Sequence, residues 1–215
     1  IFDAYGQHSG LQLPNSMTVT ADLQMSWEVF PPVPGKKKTA EGEIPYIHML
    51  LQARTDGWLG IAFVATPDGS FNLEGADVYW GGVNDEGEIE FYDAQAFNVG
   101  TVPQDEIWGG TSDIYDVAAS RDDGILSVEF KRYLDTGDAF DCEIKDGPEI
   151  PMTYAYSSGT DNMDMTRYHR YSRGFFHAEL YTIGCGEGEY LTDSGCKVCE
   201  PGNACPDKVN KEACR

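Results

Sequence analysis

Short apolar runs separated by glycine-rich turns constrain how this chain can fold more than any other feature of its sequence. Between Gly57 and Ala96 there are three such runs, Trp58–Val64, Val78–Val83 and Ile89–Tyr92. Each is rich in β-branched and aromatic residues and is bounded by Gly, Asp or Asn. That pattern is typical of short strands joined by hairpins or tight loops.

The same pattern recurs on both sides of this stretch. It predicts further strands at Met17–Val29, Ile47–Ala53, Ile125–Tyr133, Pro151–Ser157 and Phe175–Ile183. Residues 97–123 have weak periodicity, and no segment of twelve or more residues carries a convincing 3.6-residue repeat. The sequence therefore predicts an all-β fold, an antiparallel two-sheet β-sandwich with a small disulfide-rich C-terminal appendage.

The composition along the chain suggests three parts. We assign residues 1–19 to an N-terminal arm or linker, 20–184 to the sandwich and 185–215 to a cysteine-rich module held by disulfides. The first residue is Ile rather than Met, from which we expect a processed chain or a fragment of a longer protein.

The cysteines point to an oxidising compartment. Their even number and their concentration near the C-terminus favour disulfides and an extracellular or cell-surface location. The six are Cys142, Cys185, Cys196, Cys199, Cys205 and Cys214. Because the last five are odd in number, we expect Cys142 to pair with one of them, with Cys185 as first choice because it follows the last predicted strand. Zinc is the less favoured alternative, since the Cys-x-x-Cys spacing occurs once and no His follows it.

Charge and motifs exclude several classes of function. A net charge of −21 argues against nucleic acid and anionic membrane surfaces, which require a basic face. No run of 18 apolar residues exists, so we expect no membrane insertion. The GxSxG, HExxH and P-loop motifs are absent from the sequence, which favours a protein that is not an enzyme.

Acidic residues at the ends of predicted strands suggest cation binding. Asp77 begins the second run of the Gly57–Ala96 stretch, and Asp93 ends the third. Carboxylates beside backbone carbonyls suit a hard cation such as calcium. The alternative is that these residues cap turns and that the acidity of the chain serves solubility.

Six motifs in order resemble the DOMON domain, a family named after the N-terminal domain of dopamine β-monooxygenase. They read GWLGIAF, LEGADVYW, FYDAQ, VPQDE, SVEFKRYLDTGDAFD and YHRYSRG, and the resemblance spans roughly residues 20–183. It implies a β-sandwich, in agreement with the strand pattern. The later segment CEPGNACP resembles small extracellular modules of the ephrin-receptor-like or growth-factor-receptor kind.

The resemblance implies two alternative cofactors. Some DOMON domains bind b-type haem through a Met and a His. Here Leu73, which cannot ligate iron, stands where that Met is expected, so the axial pair is broken on one side. His169 remains, and Met163 and Met165 lie close to it in sequence as candidates for a rearranged His/Met pair.

The monooxygenase-type branch is similar around LEGAD and carries a cation site. Its pattern implies a calcium-type site formed by the side chains of Asp77 and Asp105 and the main-chain oxygens of Val78 and Ala94. Asp93 is a neighbour that could add a ligand.

These features give three functional hypotheses. The first is a non-catalytic extracellular module with a structural calcium-type site, which binds other chains or domains within a larger secreted or surface protein. The second is a haem b cytochrome domain that carries electrons. The third is a carbohydrate-binding module, for which aromatic side chains would stack on a glycan.

Overall fold

The computed structural model describes residues 12–30, 44–64, 73–97, 102–145, 149–157 and 172–180, together with the backbone of four short strands near the C-terminus. Ten strands and one 3-10 helix make up the main body. They are β1 (Asn15–Thr20), β2 (Leu23–Phe30), β3 (Tyr46–Arg54), β4 (Leu59–Phe63), β5 (Asp77–Val83), β6 (Ile89–Gln95), η1 (Asp105–Trp108), β7 (Ile114–Asp122), β8 (Ile125–Tyr133), β9 (Ile150–Tyr156) and β10 (Arg173–Ala178).

Two five-stranded antiparallel sheets form the sandwich. Sheet I has the order β1-β2-β3-β8-β7, and sheet II has the order β10-β9-β4-β5-β6. The predicted fold class is thereby confirmed. The disulfide-rich nature of the appendage stays a prediction, since only the backbone of its strands is described: β11 (Glu189–Thr192), β12 (Gly195–Val198), β13 (Asn203–Ala204) and β14 (Glu212–Ala213).

Strand alternation decides which side chains enter the core. On β8 the residues Leu126, Val128 and Phe130 are fully buried and face sheet II. The Phe130 ring packs at 5.3 Å from the Tyr79 ring and at 5.1 Å from the Phe91 ring, both on sheet II. These contacts join the two sheets by burying aromatic area on both sides.

Besides the last strand, predicted over Phe175–Ile183 but ending at Ala178, the structure differs from the predicted strands in two places. The single strand predicted over Met17–Val29 is wrong, because Ala21 and Asp22 form a turn that separates β1 from β2. The Thr20 hydroxyl accepts a hydrogen bond from the Asp22 N–H at 3.1 Å, which stabilises that turn. β1 therefore begins at Asn15 and pairs with β2, ahead of the boundary predicted at residue 20.

The second difference lies in the segment without clear periodicity. It contains β7, whose register shifts between Tyr115 and Ala118, and Asp116 within the shift has a φ of 51°. A bulge of this kind interrupts the two-residue alternation that identifies a strand in sequence.

Candidate metal centre

Four aspartates from separate segments converge inside the sandwich, and we call this group the acid site: Asp77, Asp93, Asp105 and Asp141. Asp77 opens β5 and faces the core, and Asp93 lies on β6 beside Tyr79 in the sheet register. Asp105 begins η1, and Asp141 lies in the loop that follows β8. Single carboxylate oxygens of Asp77, Asp93 and Asp141 all lie within 4.8 Å of one another.

The aspartate side chains are almost completely removed from solvent. Residue exposure is 1% for Asp77, 2% for Asp93 and 1% for Asp105, and the side chain of Asp141 is 1% exposed. Buried carboxylates are normally paired with a cation or saturated with hydrogen bonds. The surroundings of these four meet that requirement only in part.

Arg132 is the positive charge that reaches the acid site from sheet I. Its side chain is fully buried, and its Nη1 donates to Asp77 Oδ2 at 2.7 Å and to the Tyr79 hydroxyl at 2.6 Å. Its Nη2 donates to the Cys142 carbonyl at 2.8 Å and lies 3.9 Å from Asp141 Oδ2. The guanidinium therefore neutralises one carboxylate and fixes the loop that carries Asp141.

Backbone N–H groups stabilise two of the carboxylates. Cys142 N–H donates to Asp77 Oδ2 at 2.9 Å, and Asp113 N–H donates to Asp93 Oδ2 at 2.7 Å. Among the described residues, six buried carboxylate oxygens still have no hydrogen-bond partner within normal geometry: Asp77 Oδ1, Asp93 Oδ1 and both oxygens of Asp105 and Asp141. The Thr136 side chain is near enough to Asp141 to oppose the rise of its pKa. If all four aspartates are ionised, one guanidinium leaves three negative charges uncompensated.

The raised pKa values of three of these aspartates reflect the uncompensated negative charge. Burial, opposed by the hydrogen bond from the Asp113 N–H and reinforced by the neighbouring carboxylates, raises the pKa of Asp93 to about 8. Burial followed by repulsion from Asp141 raises the pKa of Asp105 to about 7. Burial and the Asp77 carboxylate raise the pKa of Asp141 to about 6. Without a cation, the site therefore favours protonated carboxyls near neutral pH.

Of the two aspartates that the sequence predicted as cation ligands, Asp77 lies in the group of three carboxylates within 4.8 Å, whereas Asp105 is a buried neighbour outside that group. Asp77 and Asp105 belong to the acid site, whereas Val78 and Ala94 face each other as register partners in the β5–β6 ladder. The use of their main-chain oxygens as ligands stays a prediction. Sequence reasoning missed Asp141 and Arg132, although both lie in the motif SVEFKRYLDTGDAFD.

The other predicted site residues are not tested. His169, Met163 and Met165 lie outside the described residues. Among the described residues Cys142 has no disulfide partner. The side chains of the five cysteines from which its partner was predicted lie outside the described residues, so the disulfide pairing stays a prediction.

Fold and site together define the class of this protein as an antiparallel β-sandwich module with a buried acidic site. The DOMON domain family model matches residues 38–157, more than half of the chain. The chain belongs to the DOMON domain family, and such domains are typically extracellular or membrane-associated. No curated protein matches the sequence. Within the described part of the chain, no helix has the length and apolarity needed to cross a membrane.

Proposed function

We propose that this DOMON domain is a non-catalytic binding module of a larger extracellular or cell-surface protein, and that its acid site holds a structural divalent cation, calcium by preference. The observation that carries the proposal is the set of six buried carboxylate oxygens that have no hydrogen-bond partner among the described residues. A buried carboxylate oxygen without a partner destabilises the folded state, because it loses the hydrogen bonds to water that it makes in the unfolded chain. A divalent cation would satisfy the oxygens of Asp77, Asp93 and Asp141 together.

The donor set matches the chemistry of calcium. Calcium binds six to eight oxygens, including carboxylates, at 2.3–2.6 Å. Two ligands on opposite sides of such an ion lie about 4.8 Å apart, and the oxygens of Asp77, Asp93 and Asp141 are within that span. Magnesium requires distances nearer 2.0–2.1 Å and retains several waters, which suits this buried, carboxylate-rich site less well.

The charge balance also favours a divalent cation. With four ionised aspartates and Arg132, a charge of +2 reduces the excess from three negative charges to one. The near-complete burial of the ligands supports a structural role, because a substrate would have no approach to the ion.

The proposal is tested by elemental analysis and by thermal unfolding of the whole chain in EDTA and then in excess calcium. At 100 times its dissociation constant, calcium stabilises a single site by about 2.7 kcal/mol. For a domain of this size, that corresponds to a Tm increase of roughly 5–10 °C. Asp141→Asn should reduce the increase strongly. The matched control is Asp116→Asn on the surface, where the carboxylate contacts Lys131, and this variant should keep the full increase.

A different result would exclude the proposed cation. If the purified protein contains no stoichiometric metal and neither EDTA nor calcium moves the wild-type Tm, the acid site is not a cation site. Its carboxyls would then be stabilised by protonation alone.

A further inference from the structure

Two large apolar side chains lie next to each other on the outside of η1. Ile107 is 66% exposed and Trp108 is 55% exposed, the largest fractions among the large hydrophobic residues that the structure describes. The Trp108 ring packs on the Phe97 ring at 4.7 Å, and more than half of its surface still faces solvent. Adjacent exposed apolar side chains of this size, with Trp among them, are typical of a surface that binds another protein.

The backbone around η1 holds this pair in a fixed position. A β-bridge joins Ala94 to Gln104 immediately before η1, and Asp105, only 1% exposed, fixes the first residue of η1 inside the sandwich. At the other end, Gly109 has a φ of 97°, and the Gly110 N–H donates to the Asp105 carbonyl at 3.0 Å. A partner therefore meets a preorganised surface, which lowers the entropy lost on binding.

Carboxylates surround the apolar pair. Glu106 is an exposed residue of η1 itself. Beyond η1, the Thr111 N–H donates to Asp138 Oδ2 at 2.6 Å, and the Thr111 hydroxyl donates to Asp113 Oδ2 at 2.7 Å. We call this surface the η1 patch, and it consists of Ile107, Trp108, Glu106, Asp113 and Asp138.

Basic side chains from the same part of the chain do not neutralise the η1 patch. Each of the four basic residues between 102 and 145 already has a partner: Arg121 with three main-chain carbonyls, Arg132 within the acid site, Lys131 with Asp116 and Lys145 with Glu143. The net charge of −21 adds a negative field at longer range, which attracts cationic partners.

An apolar centre with a negative rim determines which partner fits. The centre of a protein interface buries large apolar side chains, and its rim stays polar with complementary charge. The face of a Trp ring also attracts a guanidinium or ammonium group. A segment with Arg or Lys beside a large apolar residue meets all three requirements, whereas an acidic segment would be repelled.

We propose that the η1 patch docks a cationic segment of a partner protein, in which Arg or Lys flanks a large apolar side chain. The apolar side chain packs on Ile107, a guanidinium lies over Trp108, and a further basic group pairs with Glu106. This inference rests on the proposed function as a binding module, and it gives that module a surface and a class of partner.

The test is selection of random peptides displayed on phage against the immobilised whole chain, followed by calorimetry with synthetic copies of the selected peptides. We expect the selected sequences to be enriched in Arg or Lys next to a large apolar residue. Trp108→Ser and Ile107→Ser should each weaken binding by about tenfold or more. Because the rim contributes charge, an increase from about 0.15 M to about 1 M NaCl should also weaken binding.

The opposite end of β6 provides matched controls. Ile89→Ser changes a residue that is 46% exposed at the start of that strand, about 20 Å along the strand from the end that leads to η1. Glu86→Gln changes an exposed carboxylate in the β5–β6 turn. Both variants should bind the peptides like the wild type, whereas Glu106→Gln should weaken binding about two- to fivefold.

The calcium response separates this inference from the proposed cation. Trp108→Ser and Ile107→Ser replace exposed side chains, so both should keep the wild-type increase of Tm in calcium. If the peptides bind and calcium has no effect, the cation is refuted and the η1 patch is supported. The reverse result supports the cation and refutes the η1 patch.

Three other results would overturn the inference. Selected sequences without enrichment in Arg or Lys would contradict the charge argument. Equal loss of binding in Ile89→Ser and Ile107→Ser would place the binding surface elsewhere. Binding to phosphatidylcholine vesicles, or formation of a dimer in solution, that is lost in Trp108→Ser would identify a membrane or a second copy of this chain as the occupant instead.

Discussion

Replacing Arg132 by methionine should destabilise this domain more than any other single charge change in its described part. The guanidinium is fully buried and donates to Asp77, Tyr79 and the carbonyls of Cys142 and Tyr133. Methionine retains apolar bulk but no donor. Removing one partner of a buried ion pair costs about 3–5 kcal/mol, a large part of the 5–15 kcal/mol that stabilises typical domains.

The measurement is equilibrium unfolding in urea at neutral pH, in EDTA, followed by tryptophan fluorescence. With a urea m value near 2 kcal/mol/M, a loss of about 4 kcal/mol lowers the midpoint by about 2 M. Arg54→Met is the matched control, because Arg54 Nε lies 3.8 Å from Asp22 Oδ1 and both side chains are nearly half exposed. A surface pair of this kind is worth about 0–1 kcal/mol.

Calcium gives the experiment a second arm. Without the guanidinium, the net charge around the ion changes from −3 to −4 when all four aspartates are ionised. Calcium should therefore stabilise Arg132→Met by more than it stabilises the wild type. A loss below about 1 kcal/mol in EDTA would refute the argument from burial. A smaller calcium effect in the variant than in the wild type would show that the ion and the guanidinium do not share one electrostatic environment.

Three further predictions follow from the same structure. In EDTA, the stability of the wild type should fall as the pH rises from about 4 to about 8. The pKa of Asp93 is raised from 3.8 to about 8 in the folded state, so the folded state binds more protons than the unfolded state in that window. Urea unfolding at pH 5 and pH 8 measures the difference, and a higher stability at pH 8 would contradict the prediction. Gly81→Ala should prevent stable folding, because Gly81 has a φ of 144° and a Cβ there would collide with the Glu90 carbonyl. Gly87→Ala should cost only about 1 kcal/mol, because Gly87 has a φ of 83° and a Cβ there would meet nothing within 4 Å. Soluble yield and Tm distinguish the two variants. Phe130→Ala should cost about 3–5 kcal/mol in urea unfolding, because it leaves a cavity between the sheets; a loss under 1 kcal/mol would mean that the core collapses around the gap.

The fold was predictable because apolar and polar residues alternate clearly in the sequence of most strands. In β8 the apolar residues Leu126, Val128 and Phe130 fill one face, and continuing the same period places Arg132 on that face as well. A charged residue at an inward position requires a buried partner. This signal was available in the sequence and would have identified the Arg132–Asp77 pair.

Other features could not be predicted from local pattern. The apolar alternation of residues 17–29 continues through the turn at Ala21 and Asp22, so two strands look like one. In β7 the bulge at Asp116 reverses the alternation midway. Asp141 lies in a loop without regular structure, and its approach to Asp77 depends on Arg132 holding the Cys142 carbonyl, which is a tertiary contact with no local signature.

The origin of the acid-site ligands determines what a cation does for this domain. They come from β5, β6, η1 and the loop after β8, and Arg132 reaches them from the opposite sheet. In the unfolded chain these groups are separated, so the binding free energy of the proposed ion would be gained only on folding. Extracellular modules typically bind calcium with dissociation constants of about 10⁻⁴–10⁻³ M. At tenfold excess over such a constant the gain is about 1.4 kcal/mol, whereas at submicromolar calcium it is close to zero. The same carboxylates that repel one another without the ion would thus make the stability of the sandwich depend on a calcium-rich environment.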